Sequence, residues 1–402
     1  MLIYQYIITG ILALILINFL INIILFKNIK KFSIPEEIRK SPPLISILIP
    51  ARNEEKNIRR CVLSFMKQDY KNLEIIVLDD NSNDDTSEIV RELMQKDPRV
   101  KIINGLPLKK GWLGKCWACH QLSKAASGSY YIFTDADTLH YRDTVTKTLA
   151  ALLENKLDGI SVYPKQITVT FHERMTVPFI IFAIISFFPV SLIERTKGPL
   201  FSTGIGQFFM FSRQAYEKMG GHESVKSEIL EDIHISKQIK KAGYKYMIFD
   251  GSENIYCRMY TNLGEVMSGF SKFIYAAFDY NVFKEAAALI VFSIFFLFPF
   301  IFLPLGIIVF EWSGHILTHI IIQIFIILFI KIVLALRFKI RILDSLLMPV
   351  SVCYMLVIAV RSYLAAKIGK GVYWKGRTYS IDSGEEDEIE LVEDIFEKPG
   401  TS

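Results

Sequence analysis

Apolar positions fall into two kinds of run along the chain, long ones at both ends and short ones in the middle. Leu2 to Phe26 is almost uncharged, long enough to span a bilayer, and followed directly by Lys27, Lys30 and Lys31. In the middle, Leu44–Pro50, Leu73–Leu78, Val100–Asn104 and Tyr130–Thr134 are short apolar runs that stop abruptly at polar loops, the pattern of buried parallel strands. Helical stretches are expected from about Lys56 to Lys67, after Thr86 to about Gln95, and from Trp117 to Ala126. A β-α-β-α-β alternation predicts a doubly wound, mostly parallel sheet, with ligands taken at the carboxyl ends of its strands.

The second half returns to long apolar runs. Ala286–Phe310 and Ile316–Leu336 are separated by Glu311-Trp312-Ser313-Gly314-His315, a connector poor in Lys and Arg, and read as a membrane hairpin. A third run, Leu343–Val360, has Arg337, Lys339 and Arg341 before it and Arg361, Lys367 and Lys370 after it. Those charges place both its ends inside, which three true crossings do not allow. A re-entrant or interfacial segment broken near Pro349 satisfies both, and the number of crossings stays open. Val177–Ile193 is expected as a helix lying in the membrane face rather than a span. The positive-inside rule puts the middle region in the cytoplasm, held at the cell membrane by a multi-pass arrangement. A signal peptide fits poorly, because the basic residues follow the apolar run instead of preceding it. The expected divisions are an anchor at 1–27, a catalytic domain at 28–283, membrane helices at 284–366, a polar segment at 367–380 and a disordered acidic tail at 381–402.

Composition agrees with the membrane reading: 51% of the 402 residues are hydrophobic and the mean hydropathy is +0.32, too apolar for an ordinary soluble enzyme. The stretch from Thr378 to Ser402 has nine acids and Lys398, net −8 against +5 for the chain, so the rest carries +13. A basic body suits an anionic leaflet and a phosphorylated substrate, and no basic stripe interleaved with aromatics points to nucleic acid. Cys116-Trp117-Ala118-Cys119-His120 has the spacing of a haem attachment motif, but covalent haem attachment belongs outside the cytoplasmic membrane, and the match is treated as accidental.

Candidate chemistry gathers at the ends of the short runs. Asp135 and Asp137 follow Tyr130–Thr134 one residue apart, so both can face one guest, and two hard oxygen ligands suit a divalent cation that also binds substrate phosphates. Pro50-Ala51-Arg52-Asn53-Glu54 and Asp79-Asp80 lie at two further strand ends. Lys110-Gly111-Trp112-Leu113-Gly114-Lys115 is a glycine-containing stretch with a lysine at a helix start, able to face a phosphate but without Walker spacing.

In their order and spacing, Ile47–Glu55, Val77–Ser82, Thr134-Asp135-Ala136-Asp137 and Glu231-Asp232 resemble the successive motifs of family 2 glycosyltransferases of the GT-A fold, over about Leu44 to Asp279. Gly111–Lys115, Ala118-Cys119 and Val372–Tyr379 further resemble a membrane-bound subgroup that includes carotenoid-acid (diaponeurosporenoate) glycosyltransferases, with ceramide and hopanoid enzymes as more distant relatives. The resemblance implies an α/β GT-A catalytic domain between an N-terminal transmembrane helix and C-terminal ones. It implies a UDP-sugar donor, with Asp79 and Asp80 at uracil and ribose and with Pro50, Ala51, Arg52 and Glu54 lining the nucleotide. Asp135 would sit near the ribose or sugar and share Mg²⁺ or Mn²⁺ with Asp137. Lys115 and Arg258, and Trp374 and Arg377 if the C-terminal end is cytoplasmic, would face the phosphates or the acceptor. Asp232, beside Glu231, is the expected catalytic base, taking a proton from an acceptor hydroxyl in a single displacement with inversion.

The Gln-x-x-Arg-Trp of processive members is absent. Gly269–Phe278 stands there instead, an aromatic helical pattern expected to pack against lipid. The expectation is therefore transfer of one hexose to a membrane lipid, a carotenoid, terpenoid or other glycolipid precursor. The alternatives are a polyprenyl-phosphate glycosyltransferase, in which Asp232 would be idle, and a non-catalytic membrane scaffold.

Overall fold

The computed structural model describes residues 1–196, 198–367, 372–374 and 377–379. The four short apolar runs form adjacent parallel strands, β1 (Ile45–Ala51), β2 (Leu73–Asp79), β3 (Val100–Asn104) and β4 (Tyr130–Thr134). Four more strands, β5 (Thr138–His140), β6 (Gly159–Gln166), β7 (Phe208–Ser212) and β8 (Tyr246–Cys257), extend them into one eight-stranded sheet of order β3-β2-β1-β4-β7-β6-β8-β5. The sheet is mixed: β6 and β8 are parallel, whereas β7 runs antiparallel to both β4 and β6, and β5 antiparallel to β8. Side chains alternate between two buried layers. Leu48, Ile76 and Phe133 face one, and Ile47, Ile75 and Ile132 the other. Register aligns the polar strand ends, since Ala51 pairs with Asp79 and Asp79 with Asn104. Leu48 pairs with Phe133, which puts Asp135 level with Pro50.

The first apolar layer is continuous with the long helices: Leu12, Phe19, Ile327 and Leu334 belong to the same buried cluster as Phe133. Among the described residues, three helical stretches are long and apolar enough to cross a membrane, Leu2–Leu25, Gly314–Phe338 and Ile342–Lys367. The run expected as a span at 286–310 is a pair of helices, Val282–Phe296 and Phe298–Ile308, bent by 50°. Pro299 opens the second of them and removes a helical N–H at the break. In the third run the irregularity precedes Pro349: a 3-10 segment, Ile342–Leu347, leads into the helix Met348–Lys367, with Pro349 in its first turn.

Helix Leu2–Leu25 runs parallel to Gly314–Phe338. Gln323 Nε2 donates to Gln5 Oε1 at 2.8 Å near one end, and the Phe26 and Phe338 rings meet 6.2 Å apart at the other. Their basic ends therefore reach the sheet together. There Arg337 pairs with the fully buried Asp250, whose N–H donates to the Lys27 carbonyl at 2.9 Å. The apolar stretch at 177–193 contains a ten-residue helix, Pro178–Phe187, too short to span. It lies against the N-terminal helix, where Asn22 Nδ2 donates to the Ile185 and Phe188 carbonyls at 2.8 and 2.6 Å.

One expectation is overturned. The aromatic helix Leu263–Ala277 does not turn its apolar face to lipid; Val266 and Phe270 are buried against Met355 and Ile358 of the helix Met348–Lys367. Ser362 Oγ fixes that contact by accepting from the Tyr275 N–H at 3.0 Å. Packing between helices satisfies the same apolar stripe that lipid would have done, and sequence periodicity cannot tell the two apart.

Candidate active site

The loops after β1 and β2 brace each other. Arg52 Nη1 donates to the carbonyls of Asp80 (2.6 Å) and Asn81 (3.1 Å), and the Asp80 N–H donates to the Ala51 carbonyl at 2.8 Å. Asp79 accepts from the Ser82 N–H at 3.2 Å, and Glu54 from Asn57 Nδ2 at 2.8 Å. Asn53 and Asn81 take left-handed φ values of 53° and 54°, which Asn tolerates better than most residues, so both chains turn sharply at the strand ends.

Beside this loop pair, Lys115 rises from the first turn of the helix Gly114–Ala125 and meets two carboxylates from distant segments. Its Nζ lies 2.8 Å from Asp135 Oδ1 and 2.9 Å from Glu231 Oε1. Pro50, Lys115, Asp135, Gly206, Glu231 and Asp232 line one cavity. The turn carrying Asp135 is pinned from below: Thr138 Oγ1 donates to the Asp135 carbonyl at 2.7 Å and contacts His140 Nε2 at 2.8 Å. Burial drives the His140 pKa down to about 3, so this ring is a neutral strut. Asp137 stands beside Cys257, whose thiol is pushed up first by burial and then by the Asp137 charge.

Glu231 and Asp232 open the helix Glu231–Lys241, and their surroundings drive them apart. Burial, and next the charge on Glu231, raise Asp232 to about 7. Burial also works upward on Glu231, but Lys115 and then Lys272 hold it below its ordinary value. Burial disfavours the charge on Lys115, yet Asp135 and Glu231 outweigh it and keep the ammonium. Two adjacent carboxyls, one held ionised and one poised near neutrality, form the usual division between a fixed charge and a proton acceptor. Asp232 accepts from the N–H groups of Gly206 (3.0 Å) and Ile233 (2.8 Å), which fixes its direction. At Gly206 a Cβ would stand 3.2 Å from Lys115 Nζ and 3.5 Å from Glu231 Oε1, so the missing side chain lets the chain close over the site.

Among the residues expected here, Pro50, Lys115, Asp135, Glu231 and Asp232 come together on the cavity, with Arg52, Glu54, Asp79 and Asp80 in the adjoining loops. Arg258 is used elsewhere. Its guanidinium grips Glu173 at 3.0 and 3.2 Å; that carboxylate is fully buried and would be costly without a cation. Trp374 and Arg377 belong to a short antiparallel pair, Val372–Trp374 with Arg377–Tyr379, and their side chains lie outside the described residues, as does the acidic tail at 381–402. Three residues that were not among the expected site residues emerge here. Gly206 donates to Asp232, and His222 lines the cavity behind Lys115. Lys272 acts electrostatically on Glu231, while burial lowers its own pKa to about 8. Gly220-Gly221 before His222, with φ of 86° and 51°, was the available signal for a close approach of chain there.

The residues expected to hold a divalent cation, Asp135 and Asp137, are two carboxylates on one turn, of which Asp135 lines the cavity and meets Lys115 and Asp137 does not line it. Among the described residues no group of three or more His, Cys, Asp or Glu side chains converges. Such a set fits a hard cation completed by phosphate oxygens and waters, and not an all-protein cage.

Residues 46–220 match the family model "Glycosyl transferase family 2". The 4,4'-diaponeurosporenoate glycosyltransferase of Staphylococcus haemolyticus (strain JCSC1435) is 28% identical over 218 residues, 54% of this chain and 56% of that protein. The protein of the same name from Staphylococcus aureus (strain USA300) is 28% identical over 222 residues, with 54% and 56% covered. The chain thus spans about half the length of the curated relatives it matches. Among solved structures, the mannosyltransferase PcManGT from Pyrobaculum calidifontis, in complex with GDP-Man and Mn²⁺, superposes with a TM-score of 0.52 at 16% identity, covering 91% of this chain and 99% of that one. At that identity the likeness establishes the fold, a GT-A-like mixed sheet with apolar helices attached.

Proposed function

We propose that the protein is an inverting, metal-dependent glycosyltransferase that moves one hexose from a UDP-sugar to a lipid acceptor at the cytoplasmic face of the cell membrane. The observation that carries this reading is the pairing of Asp232, raised to near-neutral pKa, with the Lys115–Asp135–Glu231 cluster on one cavity, inside a fold whose polar strand ends face the same way. Its relatives, named for a carotenoid acid, support a lipid-type acceptor. The apolar helices packed on the sheet support delivery of that acceptor from a membrane.

In this reading Asp79, Asp80 and the Pro50–Glu54 loop hold the nucleotide. Asp135 and Asp137 would hold Mg²⁺ or Mn²⁺, which when bound would supply positive charge to the departing diphosphate. Asp232 Oδ takes the proton of the acceptor hydroxyl as that oxygen attacks the anomeric carbon. The bond from that carbon to the diphosphate oxygen breaks, and UDP leaves with the electron pair. Lys115 stabilises the leaving charge while Glu231 keeps the ammonium in place. An acceptor carboxylate would already be ionised at neutral pH, so the retention of a poised base favours a hydroxyl.

The test is incubation of membranes containing the protein with labelled UDP-glucose, and in parallel labelled GDP-mannose, with Mn²⁺ or with EDTA, followed by lipid extraction. A labelled glycolipid formed from UDP-glucose and abolished by EDTA supports the reading. Label entering lipid from GDP-mannose alone would remove the UDP assignment.

A further inference from the structure

Away from the catalytic cavity, a buried lysine, a half-buried arginine and a buried carboxylate lie where the apolar helices meet the sheet domain. Lys331 lies seven residues before Phe338, about 10 Å of helix from the basic end of Gly314–Phe338, and is only 9% exposed. Among the described residues its ammonium has no hydrogen-bond or ion-pair partner; it rests over the Phe182 ring, 5.5 Å from the centroid, with Asp344 as its charged neighbour. Arg174, from the short helix Phe171–Thr176, approaches the same carboxylate, with Nε 3.6 Å from Asp344 Oδ2. That is an ion pair too long for a hydrogen bond, and both atoms are buried without a hydrogen-bond partner.

The segment Ile342–Leu347 supplies the carboxylate and is turned inside out. Leu343 and Leu346 are 62% and 58% exposed, whereas Asp344 and Ser345 are buried. Apolar side chains outward and polar ones inward is the arrangement of a segment lying in lipid. The cluster therefore sits at bilayer depth near the basic ends, carries one excess positive charge, and leaves Arg174 Nε buried without a partner beside the Lys331 ammonium, which among the described residues has no polar partner. Buried donors without partners are expensive, and more so in apolar surroundings.

We propose that Lys331 and Arg174 bind the phosphate of an anionic phospholipid head group, with Asp344 holding the two cations apart. One phosphodiester charge neutralises the cluster, its oxygens fill the open donors, and the acyl chains lie along the exposed apolar side of Ile342–Leu347. Basic recesses between membrane helices on the cytoplasmic side are suited to such head groups. The inference rests on the membrane placement of these helices and not on the transferase reading.

Native mass spectrometry of the detergent-purified full chain, given phosphatidylglycerol or phosphatidylcholine in equal amounts, tests it. The wild type should retain phosphatidylglycerol roughly tenfold better, Lys331→Met should abolish that preference, and millimolar inorganic phosphate should leave bound lipid in place. Equal retention of the two lipids by the wild type overturns the proposal even if the variant fails to fold. So does a preference unchanged in Lys331→Met. Displacement by inorganic phosphate would reassign the cluster to free phosphate.

Discussion

Lys115 Nζ stands 2.8 Å from Asp135 Oδ1, joining the start of one helix to the end of β4, the strand that carries the paired aspartates. The same ammonium reaches Glu231 at 2.9 Å, so one cation holds two acids that come from opposite halves of the domain. Removing it leaves two half-buried like charges without their shared cation and withdraws positive charge from the proposed leaving group. Lys115→Ala should lower kcat by roughly 100-fold or more. Steady-state rates with donor in excess measure this, and a loss confined to KM would assign Lys115 to ground-state binding alone.

Asp232 should give the rate a pH limb. Its raised pKa means that the carboxylate loses its proton only near neutrality, so the base form, and with it kcat, should fall as pH drops through that value. Asp232→Asn should flatten this limb and cost roughly 100- to 10,000-fold in rate while leaving nucleotide binding nearly unchanged. A pH profile of kcat, together with UDP binding by calorimetry, decides it; an unaltered limb in the variant would place the titrating group elsewhere.

Gly206→Ala tests the tight closure over the site. The new Cβ would press on the flexible end of Lys115, so the fold should survive while the Lys115–Asp232 geometry shifts. Activity should drop about tenfold with a thermal midpoint close to the wild type, on the principle that small displacements of catalytic groups cost rate. Parallel melting and activity curves report both quantities.

Arg258→Ala should act on stability. Glu173 is fully buried, and although burial works to raise its pKa, the hydrogen bond from Arg258 outweighs this and brings it to about 2. The stabilisation from this pair is present above the ordinary glutamate range and lost as pH falls through about 2. Without Arg258 the buried charge is uncompensated, at a cost of about 3 kcal/mol. Denaturant unfolding at neutral pH measures the loss, and Glu173→Gln in the same background should recover part of it.

The parallel half of the sheet was legible because β1, β2, β3 and β4 are apolar runs that end at polar loops, and strand ends in such a sheet share an edge. β7 was not legible as an antiparallel insertion. It arrives after the long excursion from Ile167 to Gln207, and no local pattern reports direction. Asp135 and Glu231 were found by their place in the motif order, but Lys115 as their common partner depends on tertiary approach. Arg258 shows the converse. A cation near the expected phosphates was claimed by Glu173, 85 positions away, and nothing in either neighbourhood advertises that pairing. Lys272 was hidden by its own helix, whose aromatic stripe suits lipid and a protein neighbour equally well.

In the proposed function, Asp232 drives sugar transfer to a lipid from the cavity it shares with Lys115, Asp135 and Glu231. Membranes bearing the wild type or Asp232→Asn, incubated with labelled UDP-glucose and Mn²⁺, test it most directly through the labelled glycolipid extracted from each. The wild type should give product and the variant almost none at equal protein levels; equal product from both would remove Asp232 as the catalytic base.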